Sequence, residues 1–343
     1  MLYCQFGEVR LQTLDFSALE HNALYYKKLL GNSKLCAVVK NDAYGHGAVH
    51  VARYLDGIVD FFAVGNVDEA ARIDFVSRDV LLLLPQPRVA TDEAVRRGFV
   101  LSVDSLQTLQ TVIDSSNRLA IPARIHIKID SGMTRLGFRY DELTGVILRV
   151  QRCPRLAVEG VYSHFYGETV ASCDKQLNAF LPCAEVLEKA FCKTLVKHIA
   201  NSRGALLSSK YRLDMARIGL GLYGYGNSDC IPVKTVTANV IAVKDVEAGE
   251  AVGYGAKYVA QRRRRIAVVD VGYARGFSRA LVGVQIKING RLCSVVAVCM
   301  AMIMVDVTDV ENVCVGNVAT LIGDGVDASN GLVSVYESLC NLR

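Results

Sequence analysis

The stretch LCAVVKNDAYGHG, residues 35–47, places a lysine at the end of a short apolar run. The five apolar residues before Lys40 are typical of a buried strand. An ammonium group at such a strand end is costly unless it is paired, and desolvation lowers its pKa and makes the amine nucleophilic. Lys40 is therefore a candidate for attachment to a carbonyl compound, although the run alone also permits a lysine that extends into solvent.

Similar apolar runs recur on both sides of this stretch and alternate with longer amphipathic segments. The predicted strands are Leu35–Lys40, Phe61–Gly65, Val80–Pro85, Phe99–Val103, Ala123–Asp130, Gly160–Phe165, His198–Ser202 and Met215–Tyr223. The predicted helices are Phe16–Leu30, His46–Leu55, Val67–Val76, Asp92–Gly98, Asp104–Ser115, Glu142–Arg152 and Asp174–Lys193. Eight strands separated by helices predict parallel β/α units, and the count of eight favours a closed, TIM-like α/β barrel. An open, doubly wound sheet is the alternative.

Polar residues follow several of these predicted strands. Lys40 follows CAVV, Lys128 and Asp130 follow RIHI, His164 follows VYS, and residues 201–202 follow HIA. Active sites of α/β barrels lie at the carboxyl ends of the strands. Because an open parallel sheet also binds ligands at its strand ends, this agreement locates a site without deciding between the two architectures.

The pattern changes near residue 230, where strand-like segments follow one another with few helices between them. These segments are Val233–Val246, Arg265–Val271, Gly283–Ile288, Leu292–Val298, Met300–Val307 and Asn317–Ile322. We therefore predict a barrel domain over residues 1–230, whose first residues could join the second domain, and a mainly β domain over residues 231–343.

Composition narrows the class of protein. The chain has 343 residues, 51% of them hydrophobic, and a net charge of +5, which gives no argument for a nucleic-acid partner. The longest apolar run, residues 292–305, is too short to span a membrane.

The run Arg262–Arg265 is typical of a solvated turn or strand edge. The 11 scattered cysteines predict buried free thiols in a reducing cytoplasm rather than disulfides or a metal site.

Several motifs, in order along the chain, resemble those of alanine racemases, which are pyridoxal-phosphate enzymes. These motifs are KNDAYGHG at 40–47, KIDSGMTRLGF at 128–138, SHF at 163–165, HIANS at 198–202, ARIGLGLYG at 216–224, VGYG at 252–255, VGYARG at 271–276 and VCMAMIMVDVT at 298–308. The resemblance covers nearly the whole chain from about residue 9. It implies a β/α barrel followed by a β domain, and a homodimer that makes D-alanine for the cell wall.

The resemblance also implies a two-base mechanism. Lys40 would carry the cofactor pyridoxal 5'-phosphate as a Schiff base and act on one face of the amino-acid substrate. Tyr254 of a second subunit would act on the opposite face. Racemisation needs such a pair, because a single base would tend to return the proton to the face from which it came.

Further site residues follow from the same motifs. The residues implied to bind the cofactor are Tyr44, His164, His198, Ser202, Arg217, Gly219, Leu220 and Tyr336. Arg217 would face the pyridine nitrogen and, unlike an Asp, could not accept a proton from it. Arg135 and the backbone of Met300 would contact the substrate, and Lys128 is the lysine that carries a carbamate in many relatives.

The chain departs from the family pattern in one region. Ala297 and Ala301 stand where an Arg and an Asp are usual, and Arg275 stands where an Asp is usual, whereas Tyr273 keeps the family's entrance tyrosine. These changes spare the implied catalytic residues but alter the entrance. A racemase with broadened or shifted specificity toward serine, lysine or other amino acids is therefore an alternative. A pyridoxal-phosphate decarboxylase and a non-catalytic cofactor or amino-acid sensor are two further readings.

Overall fold

The computed structural model describes residues 12–327 and 329–342. They divide into two compact units. The barrel unit comprises Ser17–Ala43 and Gly47–Ile231, and the β unit comprises the described residues of 12–16, Tyr44–His46 and 232–342. Among the described residues, no helix combines the length and the apolar character that crossing a membrane requires.

The first strand, β1 (Gln12–Leu14), belongs to the β unit, and the next eight strands form one parallel sheet in the barrel unit. They are β2 (Lys34–Val38), β3 (Phe61–Val64), β4 (Asp79–Leu82), β5 (Val100–Val103), β6 (Ala123–Lys128), β7 (Leu156–Tyr162), β8 (Val196–His198) and β9 (Met215–Ile218). The strand order β8-β7-β6-β5-β4-β3-β2-β9 leaves β8 and β9 at the two edges. Asp214 and Arg217 donate backbone hydrogen bonds to Lys197 and Ala200, which joins these edges and closes the barrel.

Besides three short 3₁₀ turns, nine helical segments belong to this part of the chain. They are α1 (Phe16–Leu30), α2 (Lys40–Gly45), α3 (Ala48–Leu55), α4 (Val67–Arg72), α5 (Arg88–Arg96), α6 (Leu106–Leu119), α7 (Leu143–Gln151), α8 (Val170–Phe191) and α9 (Ser202–Leu207). In α1, Leu19, Ala23, Tyr26 and Leu30 recur at helical spacing and are buried. Such apolar stripes cover the outer face of the sheet, as expected for a β/α barrel.

The predicted TIM-like α/β barrel is confirmed, with eight parallel strands in the predicted order. Several strand ends differ from the prediction. Strand β2 ends at Val38 rather than Lys40, because residues 41–44 form a left-handed turn directly after Lys40. Strand β8 ends at His198 because Asn201 caps the unpredicted helix α9. Strand β7 begins at Leu156, four residues earlier than predicted.

The β unit is mainly β, as predicted, and its strands pair antiparallel. They are β10 (Lys234–Val246), β11 (Ala251–Val252), β12 (Tyr258–Val259), β13 (Arg264–Val269), β14 (Gln285–Ile288), β15 (Arg291–Val298), β16 (Ile303–Asp306) and β17 (Val318–Ile322), followed by α10 (Val335–Asn341). The larger sheet has the order β1-β10-β13-β16-β15-β14-β17, and β17 pairs with β10, so the sheet closes on itself. Strand β1, the β11–β12 hairpin and α10 were not predicted from the sequence.

The arginine run at 262–265 has a structural role. Arg263 lies 3.4 Å from both Asp245 and Glu247, and Arg264 lies 3.3 Å from Asp306. The Arg265 guanidinium donates to the carbonyl of Val313. These partners lie within the same unit, which agrees with the predicted strand edge.

The cysteines within the described residues are free thiols, and seven of these ten are buried. The eleventh, Cys4, lies outside the described residues. Burial raises the pKa of the Cys36 thiol on β2 to about 12, although the nearby Arg217 opposes that rise. The Cys36 thiol therefore behaves as a small apolar core group rather than as a nucleophile.

Candidate active site

Charged and polar side chains collect at the carboxyl ends of the barrel strands. Lys40 follows β2 by two residues, Lys128 ends β6, His164 follows β7 by two residues, and Arg217 lies within β9. The positive charge of Lys40 contributes to lowering the pKa values of Lys128 and His164, so these groups lie within electrostatic reach of one another. The fold therefore brings these sequence-predicted residues of the barrel unit to one place.

The segment that follows Lys40 has a strained backbone. Asn41, Asp42, Ala43 and Tyr44 all have φ between 51° and 56°, in the left-handed region. That region costs an L-residue roughly 1–2 kcal/mol, and left-handed residues usually occur singly. Four in succession form a left-handed helical turn, α2, which outside contacts must hold in place.

Glu69 holds the start of this turn. One of its carboxylate oxygens accepts the N–H of Asn41 at 2.8 Å, and the other accepts the N–H of Gly65 at 2.7 Å. Asp42 holds the turn through a further hydrogen bond, because its side chain accepts the N–H of Ala48 at 2.9 Å. The peptide group next to Lys40 is therefore fixed by a carboxylate on a neighbouring β/α unit.

Arg217 is the most enclosed cation of the cluster, with 4% of its surface exposed. Its Nη1 donates to His198 Nδ1 at 2.6 Å and to the His198 carbonyl at 3.3 Å. Its Nη2 donates to the Ser163 carbonyl at 2.7 Å, to His164 Nδ1 at 3.1 Å and to the Ile199 carbonyl at 3.4 Å. These acceptors are all neutral, and within the described chain Nε makes no hydrogen bond. A guanidinium held in this way keeps one N–H for a ligand.

Two histidines continue the hydrogen-bond chain from Arg217 into the barrel. Because arginine only donates, His198 accepts at Nδ1 and carries its proton on Nε2. His198 Nε2 lies 2.9 Å from His126 Nδ1, so His126 in turn carries its proton on Nε2. That atom is buried and makes no hydrogen bond with any described residue. Burial and then nearby arginines lower the pKa of His126 to about 3, and burial and then Arg217 keep that of His198 well below its usual value.

Lys128 lies beside these groups and is almost fully buried. Burial and then the positive charges of Arg217 and Arg135 lower its pKa to about 8, while Asp104 opposes this shift. The ring of Tyr162 lies 5.5 Å from the Lys128 ammonium and 5.1 Å from the Arg217 guanidinium, and it stacks on His198 at 4.8 Å. Lys128 is therefore partly a neutral amine near pH 8.

Ser202 and the turn after β9 form a group of small donors. The Ser202 hydroxyl oxygen accepts the N–H groups of Gly219 at 3.1 Å and Gly221 at 3.2 Å. The N–H of Leu220, between them, makes no hydrogen bond with the described residues. The structure thus brings the predicted Ser202, Gly219 and Leu220 together, and it leaves one backbone donor for an anion.

Tyr44 and Tyr336 meet within the β unit, with ring centroids 5.7 Å apart. Burial, and next the neighbouring Tyr336, raises the pKa of the Tyr44 hydroxyl, which therefore stays a neutral hydrogen-bond donor. Residues 44 and 336 are far apart in sequence, so their proximity depends on the packing of α10.

Tyr254 and Met300 lie on exposed segments of the β unit. Tyr254 is 84% exposed and stands between Gly253 and Gly255, which both have φ above 70°. Met300 is 60% exposed, and its carbonyl accepts the N–H of Ala274 at 3.0 Å. Both side chains are available to a second molecule.

The departures from the family pattern lie close to these segments. The methyl group of Ala297 packs against Gly253, so that a Cβ added at 253 would approach it to 2.6 Å. Ala301 is exposed. Arg275 forms an ion pair with Asp270 at 3.2 Å, and the guanidinium of Arg279 lies 4.1 Å from the ring of Tyr273.

Both parts of the chain match models of one family. The alanine racemase N-terminal domain matches residues 14–227, and the alanine racemase C-terminal domain matches residues 233–342. The chain belongs to the alanine racemase family.

Individual alanine racemases agree with this assignment. Alanine racemase 1 of Oceanobacillus iheyensis is 34% identical over 91% of this chain and 88% of its own length. The solved biosynthetic alanine racemase of Pseudomonas aeruginosa superposes with a TM-score of 0.89 at 30% identity, covering 97% of this chain and 96% of that one. The alanine racemase of Bacillus anthracis with bound L-Ala-P gives a TM-score of 0.88 at 27% identity, covering 99% and 94%.

Within the alanine racemase framework, four supporting residues escaped the sequence analysis. They are Glu69, His126, Gln176 and Lys234. Gln176 is fully buried and donates to the carbonyl of His164 at 3.0 Å. His126 had a signal in the sequence, because it lies two residues before Lys128 and so shares its face of β6. Glu69 had none, since its partners come from other segments.

Proposed function

We propose that this protein interconverts L- and D-alanine with pyridoxal 5'-phosphate as its cofactor. The observation that carries the proposal is the buried Arg217, whose acceptors are all neutral, in a chain that matches both alanine racemase domains. A permanently charged arginine beside the pyridine nitrogen cannot accept a proton from that nitrogen. Such an arrangement suits proton exchange at one carbon rather than other amino-acid chemistry.

The residues present fit this cofactor. Lys40 offers an amine for its aldehyde, and Arg217 Nε offers an N–H for its ring nitrogen. The Ser202 hydroxyl and the N–H of Leu220 suit its phosphate, and the Gly219 N–H holds this turn against Ser202. The hydroxyls of Tyr44 and Tyr336 suit the phosphate too. His198 holds Arg217 in place. When bound, the cofactor supplies an electron-withdrawing ring that acidifies the α-proton of an amino acid.

We assign the two proton transfers to Lys40 and Tyr254. The amine of Lys40 takes or returns a proton at one face of the α-carbon, and the hydroxyl of Tyr254 does so at the other. Because Tyr254 is so exposed in its own chain, we propose that a second copy supplies it and that the protein works as a homodimer. His164 accepts from Arg217 at Nδ1, so its Nε2–H, which makes no hydrogen bond with the described residues, can orient that tyrosine.

The substrate carboxylate meets Arg135 and the backbone of Met300 in this proposal. Asp130 shapes the loop of Arg135, because its side chain accepts the N–H groups of Gly132 and Thr134. Carbon dioxide adds to neutral amines, and the lowered pKa of Lys128 makes that form available. The resulting carbamate would place a negative charge beside Arg135 and Arg217. We further propose that the enzyme is cytoplasmic, in keeping with its free thiols.

The test is to incubate the cofactor-loaded protein with single L-amino acids and to quantify the D-enantiomers by chiral chromatography. Alanine, serine, lysine and glutamate form the panel. We expect D-alanine to dominate and to be lost in Lys40→Ala. Release of carbon dioxide would indicate a decarboxylase, and binding without any product would indicate a sensor.

Broadened specificity is the second candidate, favoured by the small Ala297 and Ala301 near the exposed turn of Tyr254. Ala301→Asp restores the usual acid at an exposed position, where a larger side chain has room. If the entrance is broadened, this variant narrows the product range of the panel. An unchanged range contradicts the idea. Ala297→Arg is a poorer probe, because it displaces Gly253 and with it Tyr254.

A further inference from the structure

Lys234 is a fully buried lysine at the start of β10. Its ammonium donates to the carbonyls of Gly45 at 3.1 Å, Leu339 at 2.8 Å and Leu342 at 2.5 Å. Ordering and burying so long a charged side chain is costly, and three carbonyl acceptors around one ammonium compensate for its lost hydration.

The three carbonyls belong to two segments that carry the tyrosine pair. Gly45 ends the left-handed turn α2 directly after Tyr44. Leu339 and Leu342 lie at the end of α10, whose second residue is Tyr336. The carbonyls at a helix end carry partial negative charge, which a cation neutralises. Lys234 thus bridges the end of the turn and the end of the helix.

The same two segments are also in direct contact. A Cβ at Gly45 would overlap the carbonyl oxygen of Leu339, so only glycine permits this approach. Gln12 adds a further donor to the Gly45 carbonyl at 2.9 Å. The 5.7 Å spacing of the Tyr44 and Tyr336 rings is therefore set by a closely packed junction with Lys234 at its centre.

We propose that Lys234 is a positioning residue for the cofactor's phosphate. It acts through Tyr44 and Tyr336, whose hydroxyls it holds at a fixed spacing. The inference rests on the proposed function, which assigns those hydroxyls to the phosphate. The proposal predicts a selective loss of affinity. A defect in phosphate binding weakens the binding of pyridoxal 5'-phosphate but not that of pyridoxal, which lacks the phosphate.

The experiment compares the affinities of full-length, cofactor-free protein for pyridoxal 5'-phosphate and for pyridoxal, measured by absorbance titration. In Lys234→Met we expect the affinity for pyridoxal 5'-phosphate to fall by about ten- to a hundredfold, the range for one lost hydrogen bond to a charged group. The affinity for pyridoxal should change by less than about threefold. Lys244→Met, the same substitution at an exposed position of β10, should change neither.

A second variant covers the case in which Lys234→Met does not fold. Lys234→Gln keeps a neutral donor in the junction and should show a smaller loss that is again selective for the phosphate. Equal losses for the two ligands in either variant would mean general destabilisation and would overturn the proposal. In a Tyr44→Phe, Tyr336→Phe background, the effect of Lys234→Met should shrink, and full additivity would also contradict it.

The proposed function fails separately. If the wild-type protein binds both ligands equally, or if the double tyrosine variant keeps its phosphate preference, the assigned phosphate contacts are wrong and the role of Lys234 fails with them. If that preference exists and depends on the tyrosines, but Lys234→Met leaves it intact, only the role of Lys234 fails.

Discussion

Arg217 in the barrel unit and Tyr254 in the β unit differ in nearly every physical respect. Arg217 is 4% exposed and makes five hydrogen bonds to neutral groups. Tyr254 is 84% exposed, lies between two glycines with left-handed backbones, and has a hydroxyl that makes no hydrogen bond with the described residues. The first group is organised by its own chain, whereas the second is exposed on the surface of its own chain. Substitutions at the two positions should therefore separate stability from activity.

The largest effect is expected on the exposed side of this comparison. Tyr254→Phe removes one of the two proposed proton-transfer groups and should slow racemisation by about 10²–10⁴-fold. The melting temperature should change little, because the hydroxyl has no partner among the described residues of its own chain and its proposed contact in a second copy is a single hydrogen bond. Chiral chromatography and thermal unfolding measure the two quantities. Tyr140→Phe, another exposed tyrosine, is the control, and a marked fall in stability with Tyr254→Phe would contradict the contrast.

Arg217→Gln tests the buried side. It leaves buried imidazole and carbonyl acceptors without their donor, so we expect a loss of about 3 kcal/mol in the free energy of unfolding. Urea unfolding of the cofactor-free protein measures it. Arg152→Gln, at an exposed position whose side chain makes no hydrogen bond with the described residues, should cost less than about 0.5 kcal/mol. Equal stability of the two variants would show that the cluster is not preorganised.

Lys128 extends the comparison to the pH dependence of stability. Its pKa is about 8 in the folded protein and near 10.5 in the unfolded chain, so between these values the unfolded state binds more protons and stability rises with pH. In buffer free of carbon dioxide, Lys128→Met should therefore be more stable than wild type at pH 7, by on the order of 2 kcal/mol. The difference should vanish above about pH 10.5.

Near pH 8, bicarbonate should make the wild type more stable than Lys128→Met. A carbamate on Lys128 is an anion beside Arg135 and Arg217, so it stabilises the wild type and has no counterpart in Lys128→Met. Thermal unfolding with and without bicarbonate measures this, with Lys175→Met as an exposed control. A bicarbonate effect of equal size in both variants would rule out carbamylation at Lys128.

The smallest effect is expected at Glu69. Glu69→Gln keeps the shape of the side chain but sets an amide N–H against the N–H of Asn41 or Gly65. We expect a loss of about 1 kcal/mol in unfolding free energy. Slower attachment of pyridoxal 5'-phosphate to Lys40, followed by absorbance, should accompany it. Glu168→Gln is the matched exposed control, and an unchanged attachment rate would show that the turn does not need its carboxylate.

The barrel could be predicted because apolar runs and amphipathic segments obey local rules. The left-handed turn could not, since four successive non-glycine residues there contradict the local preference for right-handed backbone. Lys234 was missed although alternation along β10 buries it with Val236, Ala238 and Val240, which is a usable signal. Glu69 was missed because its role arises only when distant segments meet.

The direction of the chain from Arg217 through His198 to His126 has one more consequence. A row of imidazoles conducts protons only when every ring can exchange one tautomer for the other. Arg217 cannot accept a proton at one end, and His126 Nε2 has no acceptor among the described residues at the other. A proton therefore cannot be passed along this row. The three side chains thus fix the orientation of the Arg217 guanidinium and offer no path for a proton among the described residues.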